Sequence, residues 1–241
     1  MDISIVIPVF EESKKIAADI NAASQFLQNN NLTGEIIIAD DGSKDGTAEI
    51  AQSTPVPPKV TLKVVRSEHN RGKGCAVRSG ITQSSGQYVM FADCGCCVPY
   101  SHVLDGLKML RDRSCEIAHA SRKLAQSKIH RHQPLRRRIC SALFRQVMIY
   151  LMKMPPEITD SQCGFKIYNG DVARRLYGKC ITDGFMFDIE IILRAKKQNY
   201  RTMEFPIEWT CDRDSRLSLS RSFLSVLREL LAIKRALAKD K

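Results

Sequence analysis

Residues 36–47 read Ile-Ile-Ile-Ala-Asp-Asp-Gly-Ser-Lys-Asp-Gly-Thr, an apolar run followed by two carboxylates and a turn rich in Gly, Ser and Asp. The apolar run predicts a buried strand, and the residues after it predict a turn. Residues 3–12 have the same form, with an apolar run that passes Pro8 and Phe10 and ends in two glutamates. We expect Pro8 to end this strand, because proline cannot donate a hydrogen bond to a sheet ladder.

These two segments together predict a nucleotide site. In an open α/β sheet, ligands bind in the crevice beyond the carboxyl ends of the strands. The N–H groups of a base and the hydroxyls of a ribose need acceptors, which carboxylates provide. The predicted donor-nucleotide residues of the two segments are Pro8, Phe10, Glu12, Asp40 and Asp41. For either segment alone, an acidic turn without a ligand is the alternative.

The first half of the chain alternates helices and strands. Apolar periodicity predicts helices over 12–27, 45–53 and 74–84, and strands over 60–65 and 88–92. This order predicts an α/β fold with a mostly parallel sheet and helices on both faces. A chain of 241 residues with 44% hydrophobic content is long enough for one such core and short for two.

Residues 70–74, Asn-Arg-Gly-Lys-Gly, are a candidate diphosphate segment. The glycines permit close backbone approach, and Arg71 and Lys73 supply cations. A solvated loop before a helix is the alternative. The spacing is not that of a Walker motif.

Taken together, these segments resemble the inverting family 2 glycosyltransferases, which have the GT-A (Rossmann-like) fold. Within that family the chain is most similar to the polyprenyl-phosphate branch, which includes the dolichyl-phosphate glucosyltransferases and mannosyltransferases. The resemblance covers residues 1–220 as one glycosyltransferase domain, with 221–241 as a C-terminal amphipathic helix of the same unit. The segments that carry it, besides the first two strands, are 70–80, 91–93, 160–166, 187–190 and 204–209.

The resemblance implies a function. The chain is expected to move a hexose, from UDP-glucose or alternatively from GDP-mannose, to a polyprenyl phosphate with inversion. Asp93, Asp188 and Glu190 are the implied catalytic residues, and Lys73 and Asp93 also contact the donor. For Asp188 and Glu190, an acidic pair at a helix N-terminus is the alternative. The alternative functions are transfer to a soluble or cell-surface glycan, and nucleotide-sugar binding without turnover.

The metal motif departs from the family pattern. The family usually carries Asp-x-Asp after its fourth strand as oxygen ligands for Mg²⁺ or Mn²⁺, but this chain has Asp93-Cys94-Gly95. Mg²⁺ can be held by one or two carboxylates together with substrate phosphates, whereas thiolates prefer softer metals. We therefore predict an Mg²⁺ or Mn²⁺ cofactor with Asp93 as its one protein ligand, and expect Gly95→Asp to tighten metal binding if a side chain fits. Cys94 and Cys97 form a weak zinc signal.

Residues 117–156 contain nine Lys or Arg residues and no Asp or Glu. Such an imbalance favours a surface that faces anions. A solvated basic face is the alternative, and we expect no nucleic-acid partner because no stacking aromatic residues lie among the charges of 121–138. The resemblance implies that this region helps to bind the acceptor phosphate. The predicted acceptor-phosphate residues are Ser121, Arg122, Arg136, Asp160, Gln162, Lys166 and Arg216.

The same composition bears on location. We find no secretory signal and no uncharged apolar run of about 18 residues, so we expect a cytoplasmic protein that contacts the inner face of an anionic membrane peripherally. Residues 139–152 are typical of a membrane-facing or core helix, and 223–237 of an interfacial helix or one packed on the core or in a homo-oligomer. Most of the nine cysteines are expected to be reduced.

Overall fold

The computed structural model of the chain describes residues 1–130, 135–210 and 223–239, without the side chains of 135–140 and 223–225. The strands are β1 (Ile3–Val9), β2 (Gly34–Asp40), β3 (Val60–Arg66), β4 (Tyr88–Ala92), β5 (Ile117–Ser121), β6 (Lys128–Ile129), β7 (Phe165–Asn169), β8 (Thr202–Pro206) and β9 (Glu208–Trp209). The helices are α1 (Ile16–Asn29), α2 (Thr47–Ser53), α3 (Lys73–Thr82), α4 (Val103–Arg111), α5 (Leu135–Met152), α6 (Gly170–Gly178), α7 (Phe187–Lys197) and α8 (Phe223–Lys239).

Seven strands form one mostly parallel sheet in the order β3-β2-β1-β4-β7-β5-β8. β1 to β4 run parallel, as do β5 and β8, whereas β7 runs antiparallel to both of its neighbours. Because β7 is reversed, its first residue pairs with the last residue of β4, Phe165 with Ala92. The chain before β7 therefore meets the carboxyl ends of β1, β2 and β4, where the predicted site lies. β6 and β9 form a separate two-stranded ladder.

Alternate residues of the central strands enter two cores, one on each face of the sheet. Ile5 and Ile36 belong to the core beneath α1, α2 and α4, while Val6 and Ile37 belong to the core beneath α3, α6 and α7. This alternation confirms the predicted α/β class with helices on both faces. A third cluster joins α5, α7 and α8.

Several predicted boundaries are wrong. Pro8 lies inside β1, and the ladder with β2 runs on to Val9 opposite Asp40. The pairing with β4 ends earlier, opposite Val6, so Pro8 stands where β1 has lost one neighbour. α1 begins at Ile16 rather than at residue 12, because Glu11 has a left-handed φ of 52° and a turn precedes the helix. α3 ends at Thr82 instead of residue 84.

The C-terminal helix α8 packs on the rest of the domain. Leu230 and Ile233 are buried against Ile189 and Ile192 of α7 and Met148 of α5. Of the alternatives that the sequence left open for α8, this contact agrees with packing on the core. In the described parts of the chain, no helix combines the length and the apolar character needed to cross a bilayer.

Candidate functional site

The turn after β2 is organised by Asp40, whose side chain is buried. One carboxylate oxygen of Asp40 accepts a hydrogen bond from the Ser43 N–H at 3.0 Å, and also from the Ser43 hydroxyl. The other oxygen lies 3.3 Å from Nε of Arg66, at the end of β3. Asp40 thus shapes the turn and ties it to the neighbouring strand.

The segment after β1 packs on the same turn. The Glu11 N–H donates to Ser43 Oγ at 2.7 Å, and the Glu12 N–H donates to Thr47 Oγ1 at 2.9 Å. The two predicted acid-bearing segments are therefore adjacent. The predicted donor residues on this edge that stay partly exposed are Pro8, Phe10 and Glu12.

Asp41 holds the diphosphate segment. Its two carboxylate oxygens accept hydrogen bonds from the backbone N–H groups of Arg71 at 2.9 Å and Gly72 at 2.7 Å. Burial raises the pKa of Asp41, while these hydrogen bonds oppose that rise. Asp41 thus positions the segment that carries Lys73, a role that the sequence did not indicate, and its direct nucleoside contact stays a prediction.

A second loop, residues 180–186, braces the diphosphate segment from the other side. Asp183 accepts hydrogen bonds from Arg71 at 2.9 Å and from Arg78 at 2.5 Å. Its carbonyl also accepts from the Cys75 N–H at 3.1 Å. Burial raises the pKa of Asp183, but the hydrogen bonds and charges of Arg78 and Arg71 lower it below its ordinary value. The segment is therefore held by an acid on each side.

Lys73 and Asp93 form an ion pair at the centre of this edge. Lys73 Nζ lies 2.5 Å from Asp93 Oδ1, and the ammonium sits 5.8 Å from the ring centroid of Phe91. The Asp93 side chain is 38% exposed, so one face of the pair is open. Gly164 allows this arrangement, since any Cβ there would lie about 2 Å from the Asp93 carboxylate. The Asp93 N–H also donates to the Gly164 carbonyl at 2.8 Å.

Asp188 lies deeper, paired with Lys166. Both side chains are buried, and the Lys166 ammonium donates to Asp188 and, at 2.9 Å, to the Ser161 carbonyl. Burial raises the pKa of Asp188, although the charges of Lys166 and Lys73 oppose that rise. Lys166 was predicted to bind the acceptor phosphate, but its ammonium is enclosed with protein acceptors. It supports the floor of the site.

Glu190 has a structural position. Its buried carboxylate accepts hydrogen bonds from the Ile181 N–H at 3.0 Å, the Thr182 N–H at 2.9 Å and the Arg194 Nε–H at 2.8 Å. These contacts fix the loop 180–186. The catalytic contact predicted from sequence therefore has no support in the geometry, and Glu190 acts on the site through that loop.

The metal motif offers one open carboxylate. Within the described residues, no group of three or more His, Cys, Asp or Glu side chains could hold a metal ion. Burial and Asp19 raise the pKa of the Cys96 thiol to about 12 and raise that of Cys94 further, so neither provides a thiolate. Asp93 fits a hard cation only when substrate phosphates supply further oxygens.

The acceptor half is built around Arg122 and Asp160. Arg122 donates to the two Asp160 carboxylate oxygens at 2.6 and 2.8 Å and lies 5.2 Å from the Trp209 ring centroid. Burial lowers the pKa of Arg122, but hydrogen bonding to Asp160 and the charges of Asp160 and Asp93 raise it above the ordinary value. The guanidinium thus stays charged, and the charge of Asp93 also acts on it.

Lys123 and Ser121 flank Arg122 in the chain. Burial lowers the pKa of Lys123, whose ammonium lies 3.3 Å from Ser141 Oγ on α5. Ser121 Oγ lies 2.7 Å from Thr159 Oγ1, which fixes the chain just before Asp160. The side chain of Arg136 and all of Arg216 lie outside the described residues.

Gln162 is the remaining predicted acceptor residue. Its Nε2 amide is buried and, within the described part of the chain, has no hydrogen-bond partner. A buried amide nitrogen without an acceptor is costly, so it is a natural contact for a substrate oxygen. The sequence signature 160–166 therefore contributes a positioning acid, a buried amide nitrogen without a described partner and a buried lysine.

Comparison with known proteins agrees with this geometry. The family model for Glycosyl transferase family 2 matches residues 4–176. The chain belongs to this family. A dolichyl-phosphate beta-glucosyltransferase of Dictyostelium discoideum is 28% identical over 96% of the chain and 73% of the relative, and the Homo sapiens protein of that name is 28% identical over 96% and 74%.

The fold is similar to that of solved structures. The crystal structure of glucosyl-3-phosphoglycerate synthase from Mycobacterium tuberculosis, in complex with Mn²⁺, UDP and glucosyl-3-phosphoglycerate, superposes with a TM-score of 0.68. The match has 17% sequence identity and covers 98% of this chain and 78% of that one. The chain therefore has the predicted GT-A fold.

Several residues that shape the site escaped the sequence prediction. Asp183, within the loop 180–186, contacts the diphosphate segment, and Glu229 holds that loop by accepting a hydrogen bond from the Met186 N–H at 3.2 Å. His119 is buried opposite Lys166 in the β5–β7 pairing. Only proximity in the fold identifies them, since each is an isolated polar residue in its own stretch of sequence.

Proposed function

We propose that this family 2 glycosyltransferase moves glucose from UDP-glucose to a polyprenyl phosphate with inversion at the sugar. The observation that carries the proposal is the meeting of two sets of charged residues around 160–164. Lys73 and Asp93 lie on one side, and Arg122 with Asp160 lies on the other. The first set suits a diphosphate and the second a phosphate monoester. Relatives named dolichyl-phosphate beta-glucosyltransferase support glucose and a polyprenyl phosphate as the two substrates.

On the donor side, the chain binds and orients the diphosphate. Asp41 and Asp183 hold the diphosphate segment, so Lys73 is already placed when the donor arrives. The ammonium then offsets the charge that builds on the departing UDP. Pro8, Phe10 and Glu12 line the edge where the nucleoside would bind. Preorganisation of this kind lowers the barrier because the cation need not be ordered during the reaction.

A divalent ion, Mg²⁺ or Mn²⁺, would be held by Asp93 and would neutralise charge on the leaving diphosphate. Lys73 is the partner of Asp93 in this structure, so its ammonium would also lie beside the diphosphate. With one protein carboxylate, the ion binds appreciably only with UDP. Calorimetry of UDP with and without Mn²⁺ should show mutual tightening, and Asp93→Ala should abolish it. Equal UDP affinity with chelator present would rule out this arrangement.

On the acceptor side, the chain orients an already ionised nucleophile. A phosphate monoester needs no general base, so positioning decides the rate. Arg122 is fixed by its fork on Asp160 and by Trp209, leaving the outer edge of the guanidinium for the acceptor phosphate. The Gln162 amide, two residues after Asp160, would add a hydrogen-bond donor for a substrate oxygen. These residues hold the phosphate for in-line attack on the anomeric carbon.

We further propose a peripheral contact with an anionic membrane. The helix α5 presents large apolar side chains at helical spacing on its outer face; it contains the cation Arg145, and Lys123 lies beside it. The exposed apolar residues are Leu143, Val147, Tyr150 and Leu151. Val147→Glu with Leu151→Glu should reduce sedimentation with anionic vesicles, whereas Leu104→Glu, an exposed apolar site on α4, should not. Equal sedimentation of all three proteins would contradict the contact.

The function is tested by a transfer assay. Purified protein is incubated with polyprenyl phosphate and either radiolabelled UDP-glucose or radiolabelled GDP-mannose, and the label in the organic phase is counted. We expect label from UDP-glucose, with Asp93→Ala as the inactive control. Label in the organic phase from GDP-mannose alone would show that the donor is GDP-mannose rather than UDP-glucose. An unlabelled organic phase with both donors would refute the proposed acceptor.

A further inference from the structure

Asp19 is a buried acid that the mechanism above does not use. It lies in the first turn of α1, on the face where Ile16 and Ile20 enter the core. The residue is 1% exposed. Carboxylates are almost never buried to this degree unless hydrogen-bond donors surround them, since burial removes their hydration. The donors that satisfy Asp19 therefore indicate what it is for.

Every donor to Asp19 that the structure places comes from one short loop, residues 94–96. The Gly95 N–H donates to Oδ2 at 2.8 Å and the Cys96 N–H donates to Oδ1 at 3.0 Å. The thiols of Cys94 and Cys96 each lie 3.2 Å from the same carboxylate. One side chain of α1 thus binds the loop through two backbone amides and two thiols.

The loop has an uncommon backbone. Gly95 has a φ of 103° and Cys96 a φ of 48°, so two consecutive residues lie at positive φ. L side chains rarely adopt such angles, and the conformation persists only when surrounding contacts enforce it. Here it turns two successive N–H groups toward one anion. The Asp19 carboxylate is the contact that enforces it.

This loop directly follows Asp93, so its conformation controls where the Asp93 carboxylate points. On the amino-terminal side, the Asp93 N–H is fixed by the Gly164 carbonyl at 2.8 Å. On the carboxyl-terminal side, the next fixed points are the two amides bound by Asp19. With both sides held, the Asp93 side chain is directed to Lys73, over the space that Gly164 leaves open.

We propose that Asp19 is a positioning residue for the transfer reaction. From the core of α1 it holds the loop 94–96 in the conformation that presents Asp93 to the donor diphosphate. Gly95 takes part in this contact. Asp19 accepts a hydrogen bond from its backbone N–H, and its positive φ directs that N–H toward the carboxylate. A carboxylate introduced at position 95 would strain the backbone and stand beside the buried charge of Asp19. Gly95→Asp is therefore expected to weaken donor binding instead of supplying a second metal ligand.

The test compares Asp19→Asn with Glu35→Gln. Asparagine keeps the shape of aspartate but retains one acceptor oxygen, so one loop amide loses its partner. Glu35 is a matched control, since it is a fully buried acid that accepts from the Ser85 N–H at 2.6 Å near the opposite end of β2. We expect at least tenfold faster hydrogen exchange at the amides of 95 and 96 in Asp19→Asn. We also expect kcat for transfer to fall at least tenfold, with the acceptor KM within twofold of the wild type.

Glu35→Gln should lower thermal stability while leaving kcat within twofold. Faster exchange in Asp19→Asn with an unchanged kcat would reduce Asp19 to a purely structural residue and overturn the proposal. If Asp19→Asn does not fold, Gly95→Ala carries the same expectations, because it strains the loop without altering Asp19.

The inference rests on the proposed function, but the two can fail separately. If the wild type transfers no glucose to polyprenyl phosphate, the proposed acceptor is wrong, and UDP affinity in the presence of Mn²⁺ replaces kcat as the readout. A loss of at least fivefold in Asp19→Asn, with Glu35→Gln unchanged, would still support the positioning role. Equal affinities in a folded Asp19→Asn variant would overturn it.

Discussion

Replacing Asp41 by alanine should weaken donor binding by releasing the diphosphate segment. Asp41 accepts from the N–H groups of Arg71 at 2.9 Å and Gly72 at 2.7 Å. Hydrogen bonds to a charged group contribute about 1.5–3 kcal/mol each, but here water can replace part of both, since the segment lies at the surface. Ordering a released residue again on binding costs about 1–2 kcal/mol of backbone entropy. We therefore expect a net loss of about 1–3 kcal/mol, or about 5- to 150-fold in Kd.

Calorimetric titration with UDP measures this loss directly. Asp41→Asn keeps one acceptor oxygen, so its Kd should lie between those of the wild type and Asp41→Ala. Asp45→Asn is the matched control, because Asp45 lies in the same turn but accepts from the Thr47 N–H and the Ser13 N–H, not from the diphosphate segment. A folded Asp41→Ala variant with the affinity of the wild type would refute the reasoning.

Three further predictions follow from single contacts. Arg122→Ala should raise the KM for polyprenyl phosphate at least tenfold, and Arg122→Lys should recover only part of it, because lysine cannot form the two-pronged contact with Asp160; an unchanged KM would exclude Arg122 from the acceptor site. Burial holds the pKa of His119 well below 6.5, so below that pH the unfolded chain binds one more proton than the folded chain. The free energy of unfolding should therefore fall by about 1.4 kcal/mol per pH unit as the pH drops below 6.5. Urea denaturation of His119→Leu should lack this contribution, and equal pH slopes would show that the imidazole is charged in the fold. Glu229→Ala should weaken UDP binding severalfold by releasing the Met186 N–H, whereas replacing Arg228, an exposed neighbour on α8, by alanine should have no effect. Equal UDP affinities of the two variants would show that α8 does not act on the donor site.

The edge of the sheet could be predicted because central parallel strands leave a strong pattern. The runs at 3–9, 34–40 and 88–92 are buried between neighbours on both faces, so their apolar residues are continuous and the polar residues that follow mark the carboxyl edge. Pro8 misled the prediction of where β1 ends. A proline is tolerated there, since the ladder with β4 has already stopped at Val6.

The contacts within the site could be predicted much less well. Asp41 and the diphosphate segment are about 30 residues apart, and nothing in either stretch indicates that the carboxylate turns to backbone amides rather than to a ligand. Lys166 carries the charge expected of a phosphate ligand, yet the reversed strand β7 places it in the interior beside His119 and Asp188. Glu190 likewise belongs to a recognisable motif, 187–190, but its carboxylate accepts hydrogen bonds from the loop 180–186. Such roles depend on which side chains the fold brings together.

We propose that the chain itself joins glucose to a polyprenyl phosphate with inversion. The most direct measurement is the NMR spectrum of the lipid product formed from UDP-glucose labelled with ¹³C at the anomeric carbon. We predict a labelled glucose bonded to the polyprenyl phosphate oxygen in the β configuration, opposite to that of the donor. A product in the α configuration, or labelled glucose that appears only in water-soluble material, would contradict the account.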